Sequence, residues 1–182
     1  PGGKERVLVL PYNDAAALRS AMSEHKDRIA AVIVEPMANR IGLIVPRPEF
    51  LAAARQCCDD AGAVLIFDEV IAFRLGYNGA QGTLGVTPDL TVLGKCIGGG
   101  YPVGAIAGAG EVLGITRLGQ ANRVTHPGTF SGNPVTMAAG IATLKALSED
   151  VFQALNDTGE GIRGRLEELC SGLPLRVTGA GP

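Results

Sequence analysis

The sequence contains 182 residues, which is enough for one domain, or for one domain and a small part of another. Lys and Arg number 16 and Asp and Glu number 18, so the formal charge of −2 argues against a nucleic-acid coat protein or a polybasic membrane binder. Apolar residues make up 46%, which excludes a disordered chain, and aromatic residues make up only 4%, which disfavours a surface on which nucleic-acid bases stack.

Strand and helix patterns alternate along the first third of the chain. Asn13 is predicted to cap a helix that ends near residues 26–28. The β-branched run at 30–34 predicts a strand that is buried on both faces. Pro48 suits a first helical turn, and the helix that it begins is predicted to stop at Gly62.

Three strands and two helices are predicted in the remainder. The strands are placed at 63–67, 89–93 and 103–107, and the helices at 134–147 and 151–169. Buried strands separated by helices indicate an α/β fold with a mainly parallel sheet. Because crossovers are right-handed, the carboxyl ends of parallel strands share one edge, which is where such sheets bind ligands.

The cysteines indicate the redox compartment. Cys57, Cys58, Cys96 and Cys170 show no C-x-x-C spacing, and the adjacent pair is a poor disulfide, so we expect reduced thiols in a cytoplasmic protein. With only two His in the chain, we expect no metal site. We recognise neither a secretion leader nor an apolar run of ~18 residues, so we expect no membrane association.

Charged residues follow three of the predicted strands, at Glu35, Asp68 and Lys95. A carboxylate directly after an apolar strand needs a cation or a strong donor, because burying it unpaired costs free energy. Asp68 is therefore expected to cap a helix, to pair with Arg74, or to bind a ligand. Since the chain offers too few other ligands for a metal, the ligand that fits one carboxylate is a protonated ring nitrogen.

Lys95 ends the third predicted strand and precedes the glycines 98–100. We expect its amine to lose hydration there, which favours the neutral form that attacks aldehydes to give a Schiff base. A Lys that merely extends its amine into solvent is the alternative. The glycines would let the backbone approach a flat cofactor closely. Neighbouring strands lie about 5 Å apart, so Asp68 and Lys95 are expected roughly 5–10 Å apart, which suits the two ends of one aromatic ring.

Small residues precede the helix that begins at Asn133. In the segment 128–134, backbone N–H groups, the Thr129 hydroxyl and the helix dipole together predict an anion site, and an ordinary capped helix entry is the alternative. Residues 159–164 match G-x-G-x-x-G, but no strand precedes them and Glu160 would face the phosphates. We therefore expect no dinucleotide site there.

Four motifs occur in order: LIFDEV at 65–70, the segment 88–95, GGGYPVGA at 98–105 and GTFSGNP at 128–134. With them the chain resembles the class III aminotransferases, which use pyridoxal 5′-phosphate and have the fold type I architecture. Within that class it is most similar to the glutamate-1-semialdehyde 2,1-aminomutases and their relatives. The likeness extends over nearly the whole chain.

The resemblance implies roles for individual residues. Lys95 matches the Schiff-base lysine, which also moves the proton at the substrate, and Asp68 matches the carboxylate that keeps the pyridine nitrogen protonated. Val70 matches the residue packed beneath the ring, and Thr129 matches one that binds cofactor phosphate across a dimer interface. Glu35 lies in the Glu-Pro motif that leads to the active-site loop. The resemblance thus implies a homodimer that acts on a small amino substrate.

The sequence departs from the family pattern in two local features. Arg40 stands where the aminomutases usually have Asn, and this fits either the binding of a carboxylate or the filling of the loop. The stretch 68–74 is one residue shorter than usual, which would shift the contact of Arg74.

The third departure is length, because family members are much longer. We expect a central fragment with Pro1 and Pro182 as artificial ends. Residues 1–149 would belong to the cofactor-binding large domain, and residues 150–182 would begin the small C-terminal domain. The missing part includes the aromatic residue that stacks on the ring and most of the phosphate site, so the fragment alone is expected to be poorly active.

Three functions remain open at this point. The first is an aminomutase-like transfer within one substrate, and the second is transamination between an amine or amino acid and a keto acid. The third is a non-catalytic cofactor-binding relative, against which the intact Lys95 and Asp68 argue.

Overall fold

The computed structural model describes residues 6–181, so Pro1 and Pro182 lie outside the described residues. The described strands are β1 (Ala31–Val34), β2 (Val64–Asp68), β3 (Leu90–Gly94) and β4 (Gly104–Gly108). They form one sheet in the order β1-β2-β3-β4, in which β1 and β2 are parallel, β2 and β3 are parallel, and β4 is antiparallel to β3. The α/β fold with a mainly parallel sheet is confirmed.

The described residues form six α-helices. They are α1 (Ala15–Glu24), α2 (Pro48–Ala61), α3 (Gly79–Leu84), α4 (Gly110–Leu113), α5 (Pro134–Ala146) and α6 (Glu149–Leu169). As predicted, α2 begins with Pro48 and ends at Gly62, which has a φ of +64°. The short helices α3 and α4 were not predicted, because their glycine-rich sequences carry no helical periodicity.

The predicted cap of α1 is wrong by one residue. Asp14 caps the helix, because its Oδ1 accepts a hydrogen bond from Ala17 N at 2.8 Å. Asn13 instead has a φ of +64°, and its Oδ1 accepts from Arg47 N at 2.7 Å, which ties this turn to the start of α2. The helix also ends earlier than predicted, at Glu24.

One face of the sheet carries the main core. Helices α1 and α2 pack against Val34, Leu65 and Phe67, all of which are buried. The prediction that β1 is buried on both faces is wrong, since Ile33 on its other face is 65% exposed. Both helices pack on the same side of the sheet, so neither of them covers the opposite face of β1.

Three absences concern residues 6–181 only. No helix there is both long and apolar enough to cross a membrane. No cluster of three or more His, Cys, Asp or Glu side chains suited to a metal ion occurs in this part of the chain. The four cysteines, all within it, are free thiols.

Candidate active site

The ends of β2 and β3 bring two charged residues to one edge of the sheet. Asp68 is the last residue of β2, and Lys95 directly follows β3. In the parallel register Asp68 lies opposite Val92, so Lys95 stands three residues further along, roughly 10 Å at about 3.3 Å per residue. A carboxylate and an amine from neighbouring strands therefore share this edge.

Within the described residues 6–181, one oxygen of the Asp68 carboxylate accepts a hydrogen bond and the other is left open. The residue is half-buried, and its Oδ1 accepts a hydrogen bond from Val70 N at 3.1 Å. Among residues 6–181 the side chain caps no helix, and the hydrogen bond that it accepts comes from the backbone two residues later. A half-buried carboxylate with an open oxygen is suited to a further charged donor.

Val70 lies between the two strand ends. Its N–H binds Asp68, and its side chain lies against Gly94, where an added Cβ would come 3.4 Å from Val70 Cγ1. Val70 and Lys95 both line a cavity of about 590 Å³. Residues of α6 and the segment 177–181 line the same cavity. A flat ring between the carboxylate and the amine would meet the apolar surface of Val70.

Lys95 adopts an unusual backbone conformation. Its φ of +49° is in the left-handed region, where a residue other than Gly is strained by about 1–3 kcal/mol. The chain leaves β3 there and enters a short 3-10 turn at Lys95–Gly98. The residue is exposed, so the expectation that its amine loses hydration is wrong for this structure.

The glycines after Lys95 serve protein packing. An added Cβ at Gly98 would lie 2.6 Å from Val103 Cγ1, and one at Gly99 would lie 2.6 Å from Ala139 O in α5. The prediction that these two glycines crowd against a flat cofactor is therefore wrong, because a strand and a helix of the same chain already occupy that space. Gly100 has no such neighbour within 4 Å.

Thr129 lies in an exposed turn before α5. Asn133 Oδ1 accepts from Val135 N at 3.0 Å and from Thr136 N at 3.2 Å, so a side chain of the protein caps the helix. Within residues 6–181 no hydrogen bond joins Thr129 to Asp68 or Lys95. A phosphate contact from this segment would therefore depend on the Thr129 hydroxyl and not on the first amides of the helix.

In the loop after β1, Glu35 is held by hydrogen bonds, and Arg40 lies outside the cavity that Lys95 lines. Glu35 Oε1 accepts from Asn39 N at 3.2 Å, and Glu35 O accepts from the Tyr12 hydroxyl at 2.9 Å. Asn39 lines the cavity of Lys95, whereas Arg40 is exposed and lines a separate groove of about 780 Å³. Burial, together with the charge of Glu35, raises the pKa of Tyr12 far above its ordinary value.

Glu69 is a buried residue to which the sequence analysis gave no role. It is 0% exposed, and its carboxylate accepts from Ala80 N at 2.7 Å, from Gln81 N at 3.2 Å and from Gln81 Nε2 at 3.3 Å. Burial raises the pKa of Glu69, and these hydrogen bonds oppose the rise. The available signal was a second acidic residue directly after a buried strand, which needs donors as much as Asp68 does.

Comparison with known protein families gives one match over nearly the whole chain. The sequence model of the family Aminotransferase class-III matches residues 7–181. A glutamate-1-semialdehyde 2,1-aminomutase of Aeropyrum pernix is 47% identical over 175 residues, which cover 94% of this chain and 40% of that protein. The aminomutase of the same name from Rhodopirellula baltica is 44% identical over 182 residues, which cover 100% of this chain and 40% of that protein.

Solved structures of aminotransferases also superpose closely on this chain. An omega-transaminase from Sphaerobacter thermophilus superposes with a TM-score of 0.94 at 42% identity, over 100% of this chain and 43% of that chain. A β-phenylalanine aminotransferase from Variovorax paradoxus superposes with a TM-score of 0.90 at 43% identity, over 96% of this chain and 41% of that chain. The chain thus spans about two fifths of the length of these proteins.

Proposed function

Since the chain belongs to the class III aminotransferase family, we propose that the full-length protein transfers amino groups with pyridoxal 5′-phosphate as its cofactor. The proposal concerns the full-length protein, because the chain spans about two fifths of its relatives. The observation that carries it is the open carboxylate oxygen of Asp68 at the same sheet edge as Lys95, with Val70 between them.

The donor set at this edge fits the cofactor. When bound, pyridoxal phosphate supplies an aldehyde that bonds to amines and a ring that accepts electrons from the substrate. Asp68 would hold the proton on the ring nitrogen, through the carboxylate oxygen that does not bind Val70 N. Lys95 would hold the cofactor through its amine and would move a proton at the substrate carbon that carries the amino group. Val70 would pack against the ring.

We assign the Thr129 hydroxyl to the binding of the cofactor phosphate, and we propose that the cofactor is that of a second copy in a homodimer. The hydroxyl lies in an exposed turn, so it is accessible to another chain. Two apolar neighbours support an interface here, since Phe130 is 56% exposed and Val135 is 53% exposed.

We also propose that residues 1–149 belong to a large domain and residues 150–182 begin a C-terminal one. The long helix α6 starts at this boundary and packs on the turn after β2. Asn156 Nδ2 donates to Leu75 O at 3.2 Å, and the ring of Phe152 meets that of Tyr77 edge-on at 6.4 Å between centroids. The cavity of Lys95 then lies between the two parts.

Two reactions fit the same residues. Aminomutase-like transfer within one substrate is supported by the identity to aminomutases of two organisms. Transamination to a separate keto acid is supported by the close superposition on an omega-transaminase. The full-length protein should isomerise an amino-aldehyde substrate without any keto acid if it is a mutase. It should turn over only in proportion to the added keto acid if it is a transaminase.

The cofactor attachment is tested by borohydride reduction of the loaded full-length protein, followed by peptide mapping. We expect the label on Lys95 alone. Label on Lys26 or Lys145 would show that the site is misassigned, and no label at all would argue for the non-catalytic relative. Lys4, the remaining lysine of the chain, lies outside the described residues.

A further inference from the structure

We propose that Glu69 is a positioning residue for Asp68, because its buried carboxylate fixes the ends of β2 and β3 on which Asp68 and Lys95 stand. The inference rests on the proposed function, since it concerns the same cofactor site. Side chains alternate along a strand, so Glu69 points away from the face that carries Asp68. Its action is therefore indirect, through the backbone and through its buried contacts.

The surroundings of Glu69 require two acceptor oxygens. Its contacts are the N–H groups of Ala80 and Gln81 and the Gln81 side-chain amide, all of which donate. Gly79 makes room for the carboxylate, since an added Cβ there would come 2.5 Å from Glu69 Oε2. A Gln at position 69 would turn its NH₂ group toward one of these donors and leave a buried polar group unpaired.

The same network joins β2 to β3. Gln81 Nε2 also donates to Thr91 Oγ1 of β3 at 3.2 Å, and Glu69 N donates to Val92 O at 2.9 Å. Val92 is the residue opposite Asp68 in the register. The side chain and the backbone of Glu69 thus hold the two strands together next to Asp68, three residues before Lys95.

Glu69 also anchors the chain after Asp68. Its carbonyl accepts from Phe73 N at 2.9 Å, which fixes the turn that follows Val70. Because Val70 N binds Asp68 Oδ1, movement of this turn would change the direction of the open oxygen. A misplacement of about 1 Å is enough to weaken a preorganised site substantially.

Asp89 offers a matched control, which separates a loss of protein stability from an effect on the cofactor site. Its Oδ2 accepts from Leu65 N at 2.7 Å and from Arg55 Nη1 at 3.1 Å, so it also ties β2 to the beginning of β3. It does so at the opposite end of the strands from Asp68. Loss of this contact should destabilise the protein without disturbing the cofactor site.

The experiment is a double-mutant cycle in the full-length protein, read as the dissociation constant of pyridoxal phosphate and the unfolding midpoint without cofactor. Glu69→Gln should weaken cofactor binding by about tenfold when Asp68 is present, and should have almost no further effect on binding in Asp68→Ala. Asp89→Asn should lower the unfolding midpoint and leave the dissociation constant unchanged.

An equal loss of affinity from Glu69→Gln in both backgrounds would overturn the proposal, as would a similar loss from Asp89→Asn. If Glu69→Gln does not fold, Gln81→Leu replaces it. This variant keeps both backbone N–H donors to Glu69 and removes only the hydrogen bonds that the Gln81 side chain makes to Glu69 and to Thr91. Gln81→Leu should then weaken cofactor binding when Asp68 is present and should have almost no further effect in Asp68→Ala. If it does not weaken binding when Asp68 is present, the proposal is overturned. Unchanged affinity in Asp68→Ala alone would instead refute the proposed role of Asp68.

Discussion

The backbone N–H of Val70 donates to Oδ1 of Asp68 at 3.1 Å, so the residue that would lie beneath a bound ring also orients the carboxylate that would face it. The side chain of Val70 then reaches Gly94, directly before Lys95. Local contacts thus connect Asp68 at the end of β2, through Val70, to Gly94 at the end of β3.

Asp68→Asn should separate the charge of this residue from its structural contact. The amide oxygen can still accept from Val70 N, so the fold and the attachment of cofactor should remain, but the negative charge opposite the ring nitrogen is lost. A charge-assisted hydrogen bond contributes about 1.5–3 kcal/mol, so turnover by the full-length protein should fall by about tenfold to a hundredfold. Steady-state kinetics measure the change.

Asp59→Asn is the control for Asp68→Asn. This carboxylate lies on α2, is 57% exposed and pairs with Arg55 at 2.6 Å, away from the end of β2. Its replacement should leave turnover unchanged. Equal activity of Asp68→Asn and the wild type would exclude a role for the Asp68 charge.

The left-handed conformation of Lys95 has a consequence for stability. Gly is not strained at a φ of +49°, whereas Ala is, so Lys95→Gly should be more stable than Lys95→Ala by about 1 kcal/mol in the full-length protein. Denaturant unfolding measures the difference. The same pair of substitutions at Lys145, in the last turn of α5, should give the opposite sign, because Gly in a helix is less stable than Ala by about 1 kcal/mol. The same sign at both positions would show that Lys95 is not held in this conformation.

The sequence predicts the strand ends well because two strong signals coincide there. A short, mainly apolar run precedes each charged residue, and parallel strands bring such ends to one edge, so the neighbourhood of Asp68 and Lys95 followed from local pattern. The cap at Asp14 was missed by one residue because Asn13 has an equal propensity for that position. The side chain of Asn13 instead accepts a hydrogen bond from the backbone N–H of Arg47, which is distant in the sequence.

Contacts between distant segments could not be predicted from the same patterns. Gly99 has no room for a side chain because the backbone of Ala139 in α5 lies against it. The sequence around Gly99 does not predict that a helix forty residues later packs there. Glu69 is likewise explained only when α3 is placed above it, with Ala80 and Gln81 as donors. Exposure of Lys95 depends on which elements cover the sheet edge, and the hydropathy of the strand does not contain that information.

Helix α5 must approach the turn after β3 closely, and substitution of its glycine tests this. An added Cβ at Gly140 would clash with the carbonyl oxygen of Ile97, a backbone atom that cannot move alone. Gly140→Ala should therefore destabilise the full-length protein by about 1–3 kcal/mol, although Ala is the better helix former. Gly164→Ala in α6 is the control, because an added Cβ there has no neighbour within 4 Å and should stabilise by up to about 1 kcal/mol. A stabilising effect of both substitutions would contradict the packing of α5 on this turn.

Cys58 should make the stability of the protein fall in alkaline solution. The residue is 0% exposed in the core between α2 and the sheet, and burial raises the pKa of its thiol from 9.0 to about 11. Between these values the unfolded chain loses the thiol proton and the folded chain keeps it. The unfolded state then binds fewer protons, so the free energy of unfolding decreases as the pH rises through this window, by roughly 2 kcal/mol in total.

Urea unfolding from pH 8 to about pH 11 measures this decrease. The free energy of unfolding of Cys58→Ala should depend less on pH than that of the wild type, whereas Cys57→Ala should keep the full decrease. A decrease that is unchanged in Cys58→Ala would assign the alkaline instability to another group.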